Sequence, residues 1–140
     1  MAYKHTNKSL DLLGRIMRAE AIGEGRDGML MVGNVVNNRL IVNCHVFGDL
    51  RTLEDVIHQE NAFASINSPL FTSRATTKEK ELAKKSLKGY TLYPASNALW
   101  FYAPRKGEAC RTTWFEQQLA GQYKGHCFYR PDGGVCEELR

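Results

Sequence analysis

Between Leu13 and Glu24 the chain reads LGRIMRAEAIGE, and this stretch restricts the fold more than any other. Leu13, Ile16 and Met17 recur at helical spacing. Glu20 continues the series at i+7 from Leu13, which puts a carboxylate on the apolar stripe of a helix. Drawing a carboxylate out of water favours its neutral form, and a retained proton is what general acid catalysis requires. Glu20 is therefore the candidate acid. The helix is expected to run out at Gly23-Glu24-Gly25, leaving Glu20 in its last turn at the mouth of whatever cleft the helix floors. The competing reading is an ion-paired glutamate neutralised by Arg15 or Arg18 on the same helix.

A second helical pattern follows through MLMVGNVVNNRL, with Asp27 placed to cap it and Met29, Val32, Val35, Val36 and Leu40 on its apolar face. Gly33 would let another element approach closely. A connection of a few residues obliges the two helices to pack together, so the second braces the first. Asn37, Asn38 and Arg39 close it with polar groups placed either to cap its end or to reach ligand, and capping is the expectation. Thr52 with Asp55 opens a short third helix, and Thr76 with Glu79 a fourth that runs to Leu87 and stops at Gly89. Residues 59–75 between them are irregular and expected as a loop.

The C-terminal half changes character. Ala98 to Tyr102 is a bulky run of strand length ended by Pro104, and Gln122 to Arg130 alternates as a second strand. A helical half carrying a small antiparallel sheet is an α+β domain. At 140 residues and 43% hydrophobic content, the chain is sized for one domain. No stretch has the length of a signal peptide's apolar region, and no run of 18 apolar residues occurs, so no membrane span is expected.

Nineteen basic residues against 15 acidic give a net charge of +4 and suit an anionic polymer, either cell-wall glycan or nucleic acid. Nucleic acid is disfavoured, because the one basic run, Lys78 to Lys88, alternates with glutamate as a solvated helix face does. His5, His45, His58 and His126 are scattered, so no metal site is legible. Cys44, Cys110, Cys127 and Cys136 match no CxxC motif; they read as buried thiols in a reducing compartment, with disulfides only in an oxidising one and no pairing preferred. A Cys–His peptidase is disfavoured because His126 and Cys127, adjacent on a strand, point to opposite faces. Aromatic residues from Tyr93 onwards offer rings for stacking on sugars, though most must be core.

Four ordered blocks, RAEAIGEGRDGMLMVGNVVNNRL, NAFASI, YPASNALWFYAP and KGHCFYRP, resemble the spore cortex-lytic hydrolases of the SleB/CwlJ type, most closely the CwlJ branch. The likeness runs from about Leu12 to Cys136, implying an N-terminal extension over 1–11 and a catalytic domain over 12–140. It implies a lysozyme-like α+β fold and cleavage of cortex peptidoglycan at germination. The family's catalytic glutamate falls on Glu20. Glu24 matches a second glutamate with a structural or water-positioning role, and Phe63, Ser65, Tyr102 and His126 are expected to shape the substrate groove. The sequence departs from the family at Ala103, where an asparagine often precedes the proline, so a polar sugar contact is not expected there.

An ordinary glycosidase sets two carboxyl groups across the bond. Glu24 is only one helical turn from Glu20, roughly 6 Å of rise, which fits a single-acid lytic transglycosylase better than hydrolysis with Glu24 or Asp27 holding water. A silent glycan-binding or coat protein would share the fold. The resemblance further implies the spore coat–cortex boundary as location, a small coat protein as partner and calcium dipicolinate as activator, with no cofactor. No calcium loop of EF-hand pattern is present.

Overall fold

Thr6 accepts a hydrogen bond from the Ser9 N–H at 3.1 Å while the Ser9 hydroxyl accepts from the Thr6 N–H at 2.7 Å, and this reciprocal cap starts helix α1 (Asn7–Ala21). The computed structural model describes residues 5–42, 52–59, 63–114 and 117–131. Because α1 begins at Asn7, it takes in the last residues of the expected N-terminal extension, and Leu10 belongs to the core. A short 3-10 turn (Ile22–Glu24) leads to α2 (Gly25–Val42), then come α3 (Leu53–Ile57), a 3-10 turn (Ala64–Asn67), α4 (Pro69–Thr72) and α5 (Thr77–Leu87). The caps at Thr52 and Thr76 form as their sequence spacing predicts. The 59–75 region, expected as a loop, carries α4, whose cap Ser68 accepts from Leu70 N–H at 3.0 Å.

Helix α2 is the pillar. Leu30, Val32 and Val36 are fully buried in it, against the neighbouring helices, and Val35 is buried on the side of the sheet. A Cβ at Gly33 would stand 3.1 Å from Met17 Sδ of α1 and 3.2 Å from Ser86 Oγ of α5, so the close approach expected there is real. The start of α2 differs from expectation. Gly25 adopts a φ of 78°, a turn open to glycine, and the helix begins there, leaving Asp27 inside its first turn instead of capping it.

Asn37, Asn38 and Arg39 do not cap α2 either. All three are buried; Asn37 meets the last turn of α5, while Asn38 and Arg39, with Asn34, face the irregular segment 90–99, whose carbonyls have no ladder to join. Asn34 Nδ2 donates to Tyr90 O at 2.8 Å and Asn37 Nδ2 to Ser86 O at 3.2 Å. Asn38 Nδ2 lies within 2.9 to 3.2 Å of the Ala95, Ser96 and Ala98 carbonyls, and Arg39 Nε donates to Leu99 O at 2.6 Å. Burial pushes the Arg39 guanidinium down to about 10, which still leaves it charged at neutral pH. Asn38→Ala, which strands those carbonyls, is expected to destabilise the fold by about 2 kcal/mol. A thermal melt should show a fall of roughly 6 °C, and an unshifted melt would contradict this clamp.

The clamped segment delivers β1 (Trp100–Tyr102) to a sheet completed by β2 (Thr113–Trp114), β3 (Gln117–Tyr123) and β4 (His126–Arg130), all antiparallel in the order β1-β4-β3-β2. The alternating run 122–130, expected as one strand, is the end of β3, a turn at Lys124-Gly125 and β4; Lys124 takes a φ of 48° to make that turn. Phe101 and Phe128 are paired and face the helices, where Phe128 packs in a cluster with Met31, Val35, Ala95 and Ala98. Tyr102, Cys127 and Tyr129 face the other way. There Cys127 is bonded to Cys110, which replaces the thiol reading for this pair and ties the chain after β1 to the central strand. Cys44 and Cys136 lie outside the described residues.

Candidate active site

Glu20 sits half-buried in the last turn of α1, and its Oε2 accepts a hydrogen bond from the Ser65 hydroxyl. The arginines of the competing reading are committed elsewhere. Arg18 pairs with Glu79 at 3.0 Å and donates to the carbonyls of Leu70 and Arg74 at 2.8 and 3.0 Å. Arg15 pairs with Asp11 at 2.8 Å. Glu20 is thus met by a neutral hydroxyl and by no cation of its own helix. Arg18 also does positional work, since by holding the carbonyls of 70–74 it anchors the segment that follows Ser65.

Glu24 is built differently. Its Oε1 lies 2.6 Å from His126 Nδ1 and its Oε2 accepts from the Gly125 N–H at 2.7 Å, while Lys124 Nζ donates to its backbone carbonyl at 3.3 Å. An ionised carboxylate only accepts, which assigns the imidazole proton to Nδ1. The side chains of His126 and Glu24 are 9% and 12% exposed, so the pair is shut in beneath the β3–β4 turn. A Cβ at Gly28 would press on Glu24 at 2.5 Å, so α2 closes the remaining side. Asp27, by contrast, is half-exposed beside Arg26 at 3.5 Å.

Aromatic rings join the two carboxylates into one wall. The His126 ring meets Phe101 edge-on at 5.3 Å, Phe101 lies 6.0 Å from Phe63, and Phe63 precedes the turn that carries Ser65. The Arg39 guanidinium covers Phe63 at 5.5 Å. Glu20, Glu24, Phe63, Ser65 and His126 are brought together in this way. Tyr102 is not. Strand alternation turns it to the opposite face of the sheet, where its hydroxyl accepts from the Arg111 N–H at 3.1 Å and its ring packs with Trp114 and Tyr129 at 4.9 and 5.7 Å. Phe101 occupies the place expected for Tyr102, and Gly125 and Lys124 are additional members. A glycine interrupting an alternating run was the available signal for that turn.

Among the described residues no group of three His, Cys, Asp or Glu side chains is placed to hold a metal ion, and no helix is long and apolar enough to cross a membrane.

A family profile described as cell wall hydrolase matches residues 23–129, a span that holds Glu24, Phe63, Ser65 and His126 and begins just after Glu20. The chain is 42% identical to cell wall hydrolase CwlJ of Bacillus subtilis over 96% of its own length and 93% of that protein's. It is likewise 42% identical to cell wall hydrolase CwlJ of Oceanobacillus iheyensis, over 97% of this chain and 96% of that one. The catalytic domain of Bacillus cereus SleB superposes with a TM-score of 0.72 at 20% identity, covering 91% of this chain and 93% of that one. The catalytic domain of the germination-specific lytic transglycosylase SleB from Bacillus anthracis does so with 0.72 at 18% identity, over 93% and 100%. The architecture is therefore the lysozyme-like α+β fold that the resemblance implied.

Proposed function

The chain belongs to the cell wall hydrolase family, and from that premise we propose that it is a lytic transglycosylase of spore cortex peptidoglycan, with Glu20 as its single acid and base. One observation carries this reading. Of the two neighbouring carboxylates, only Glu20 is left with a light partner, whereas both oxygens of Glu24 are taken by His126 and Gly125.

In this mechanism Glu20 gives its proton to the glycosidic oxygen between muramic acid and glucosamine as the bond to the muramic C1 breaks. Positive charge spreads over C1 and the ring oxygen, and the carboxylate just formed stabilises it. The muramic 6-hydroxyl then attacks C1 and yields its proton to Glu20. The enzyme is restored, the product carries a 1,6-anhydro end, and no water is consumed. Ser65 orients the carboxylate throughout. Half-buried Phe101 lines the groove with Phe63 and His126 packed behind it, and the catalytic domain takes in α1 from its start at Asn7. Glu24 is a positioning residue that fixes the β3–β4 turn against the helices.

The same reading puts the protein at the coat–cortex boundary of the spore, acting at germination, with a small coat protein as partner and calcium dipicolinate as activator. Its support is the 42% identity to CwlJ proteins along nearly the whole chain. Mass spectrometry of muropeptides released from purified cortex tests the chemistry. Fragments lighter by one water than their hydrolysed counterparts are expected; hydrolysed ends alone would overturn the single-acid route in favour of hydrolysis with Glu24 or Asp27 holding the water.

A further inference from the structure

Residues 93–97 lie across the sheet where β3 is irregular. The register slips between Leu119 and Gly121, and a Cβ on Gly121 would stand 2.7 Å from Pro94 Cβ and 3.1 Å from Tyr93 Oη, so glycine is needed for the loop to lie down. Tyr93 Oη donates to Ala120 O at 2.8 Å, yet the residue is 76% exposed, the most exposed of the large hydrophobic residues described. A tyrosine usually keeps its ring inside and its hydroxyl outside. Here the hydroxyl is tied to the sheet and the ring stands in water at one edge of a cavity of about 320 Å³.

The rest of that cavity is polar in a particular way. Ser96 and Asn97 contribute a hydroxyl and an amide, and Arg130, exposed at the end of β4, contributes a guanidinium that forms no ion pair with any described residue. A rigid apolar ring presents a surface to the C–H face of a pyranose at little entropic loss. An amide and a hydroxyl match an acetamido group, and a guanidinium pairs bidentately with a carboxylate. Acetamido sugars followed by carboxylates are the repeating chemistry of peptidoglycan. Arg130 and His126 stand at opposite ends of β4, roughly 13 Å apart along the strand, with the buried Phe128 between them, so the cavity is separate from the Glu20 wall.

We infer that the Tyr93–Asn97–Arg130 cavity is a second peptidoglycan contact, which stacks an acetamido sugar on Tyr93 and pairs a stem-peptide carboxylate with Arg130. This rests on peptidoglycan being the substrate, as proposed above, but not on Glu20 being the acid. The test is co-sedimentation of the full chain with insoluble spore peptidoglycan in the cold, which reads binding without turnover. Tyr93→Ala is expected to weaken binding about tenfold and Arg130→Gln about fivefold. Tyr93→Phe, which keeps the ring, should stay close to wild type. Lys84→Gln removes one exposed positive charge from α5 and should also bind as wild type.

Two results would overturn the site: Tyr93→Ala and Arg130→Gln both sedimenting like wild type, or Lys84→Gln losing as much as Arg130→Gln, which would reduce the contact to general charge attraction. If Tyr93→Ala should fold poorly, Arg130→Gln alone decides, since its side chain is solvent-facing. A wild type whose sedimentation depends on Tyr93 and Arg130 but which releases no anhydro ends keeps this site and refutes the transglycosylase reading; the two fail separately.

Discussion

Glu20→Gln is expected to lower the release of glycan ends from cortex peptidoglycan by about 10²- to 10⁴-fold, the usual contribution of a positioned acid and base. The substitution is close to isosteric, and the amide oxygen still accepts from the Ser65 hydroxyl, so neither the turn at Ala64–Asn67 nor the end of α1 has reason to move. What disappears is the transferable proton. Sedimentation with insoluble peptidoglycan should therefore be unchanged, and so should the thermal melt. Retained lysis with intact binding would place the chemistry on another group.

The second large effect concerns stability. Glu24→Ala is expected to destabilise the fold by about 3 kcal/mol, seen as a drop in melting temperature of roughly 10 °C. The truncation leaves His126 Nδ1 and the Gly125 N–H without their acceptor in a spot where both partner side chains are nearly closed to water. Because the contact bridges 102 residues, its loss frees the β3–β4 turn from the helical half, and activity should fall with it. Glu24→Gln, which keeps one acceptor oxygen, should lose less on both counts. If Glu24→Ala melted like wild type yet lost lysis, Glu24 would belong to the chemistry and not to the clasp.

What the sequence disclosed was local. Periodicity at Leu13, Ile16 and Met17, reciprocal caps at Thr52 and Thr76, and the apolar run into β1 are decided by neighbours a few residues apart, and each formed where its spacing predicts. What stayed hidden was decided at long range. Nothing near Asn37, Asn38 and Arg39 shows that they serve carbonyls 49 to 60 positions later, so capping was the natural reading and the wrong one. The turn at Lys124-Gly125 was masked because the residues on either side continue the alternation. Tyr102 was drawn to the wrong face for a related reason: a bulky triplet shows that a strand exists, but only its pairing with β4 shows which ring meets His126. The Cys110–Cys127 bond needed the same register. Glu20 could be picked out as unusual, whereas the diversion of Arg15 and Arg18 away from it depended on Asp11 and Glu79.

Helix α2 grips 90–99 almost wholly through main-chain atoms, with amide and guanidinium groups meeting carbonyl oxygens and the Leu92 N–H meeting Asn34 Oδ1 at 3.0 Å. A grip of that kind is indifferent to residue identity wherever the side chain points outward. Ser96 and Asn97 therefore sit on a chassis that does not need them, and a library randomised at those two positions should fold as the parent does. Such a library offers a way to retune which wall polymer the enzyme prefers while leaving the reacting carboxylate undisturbed.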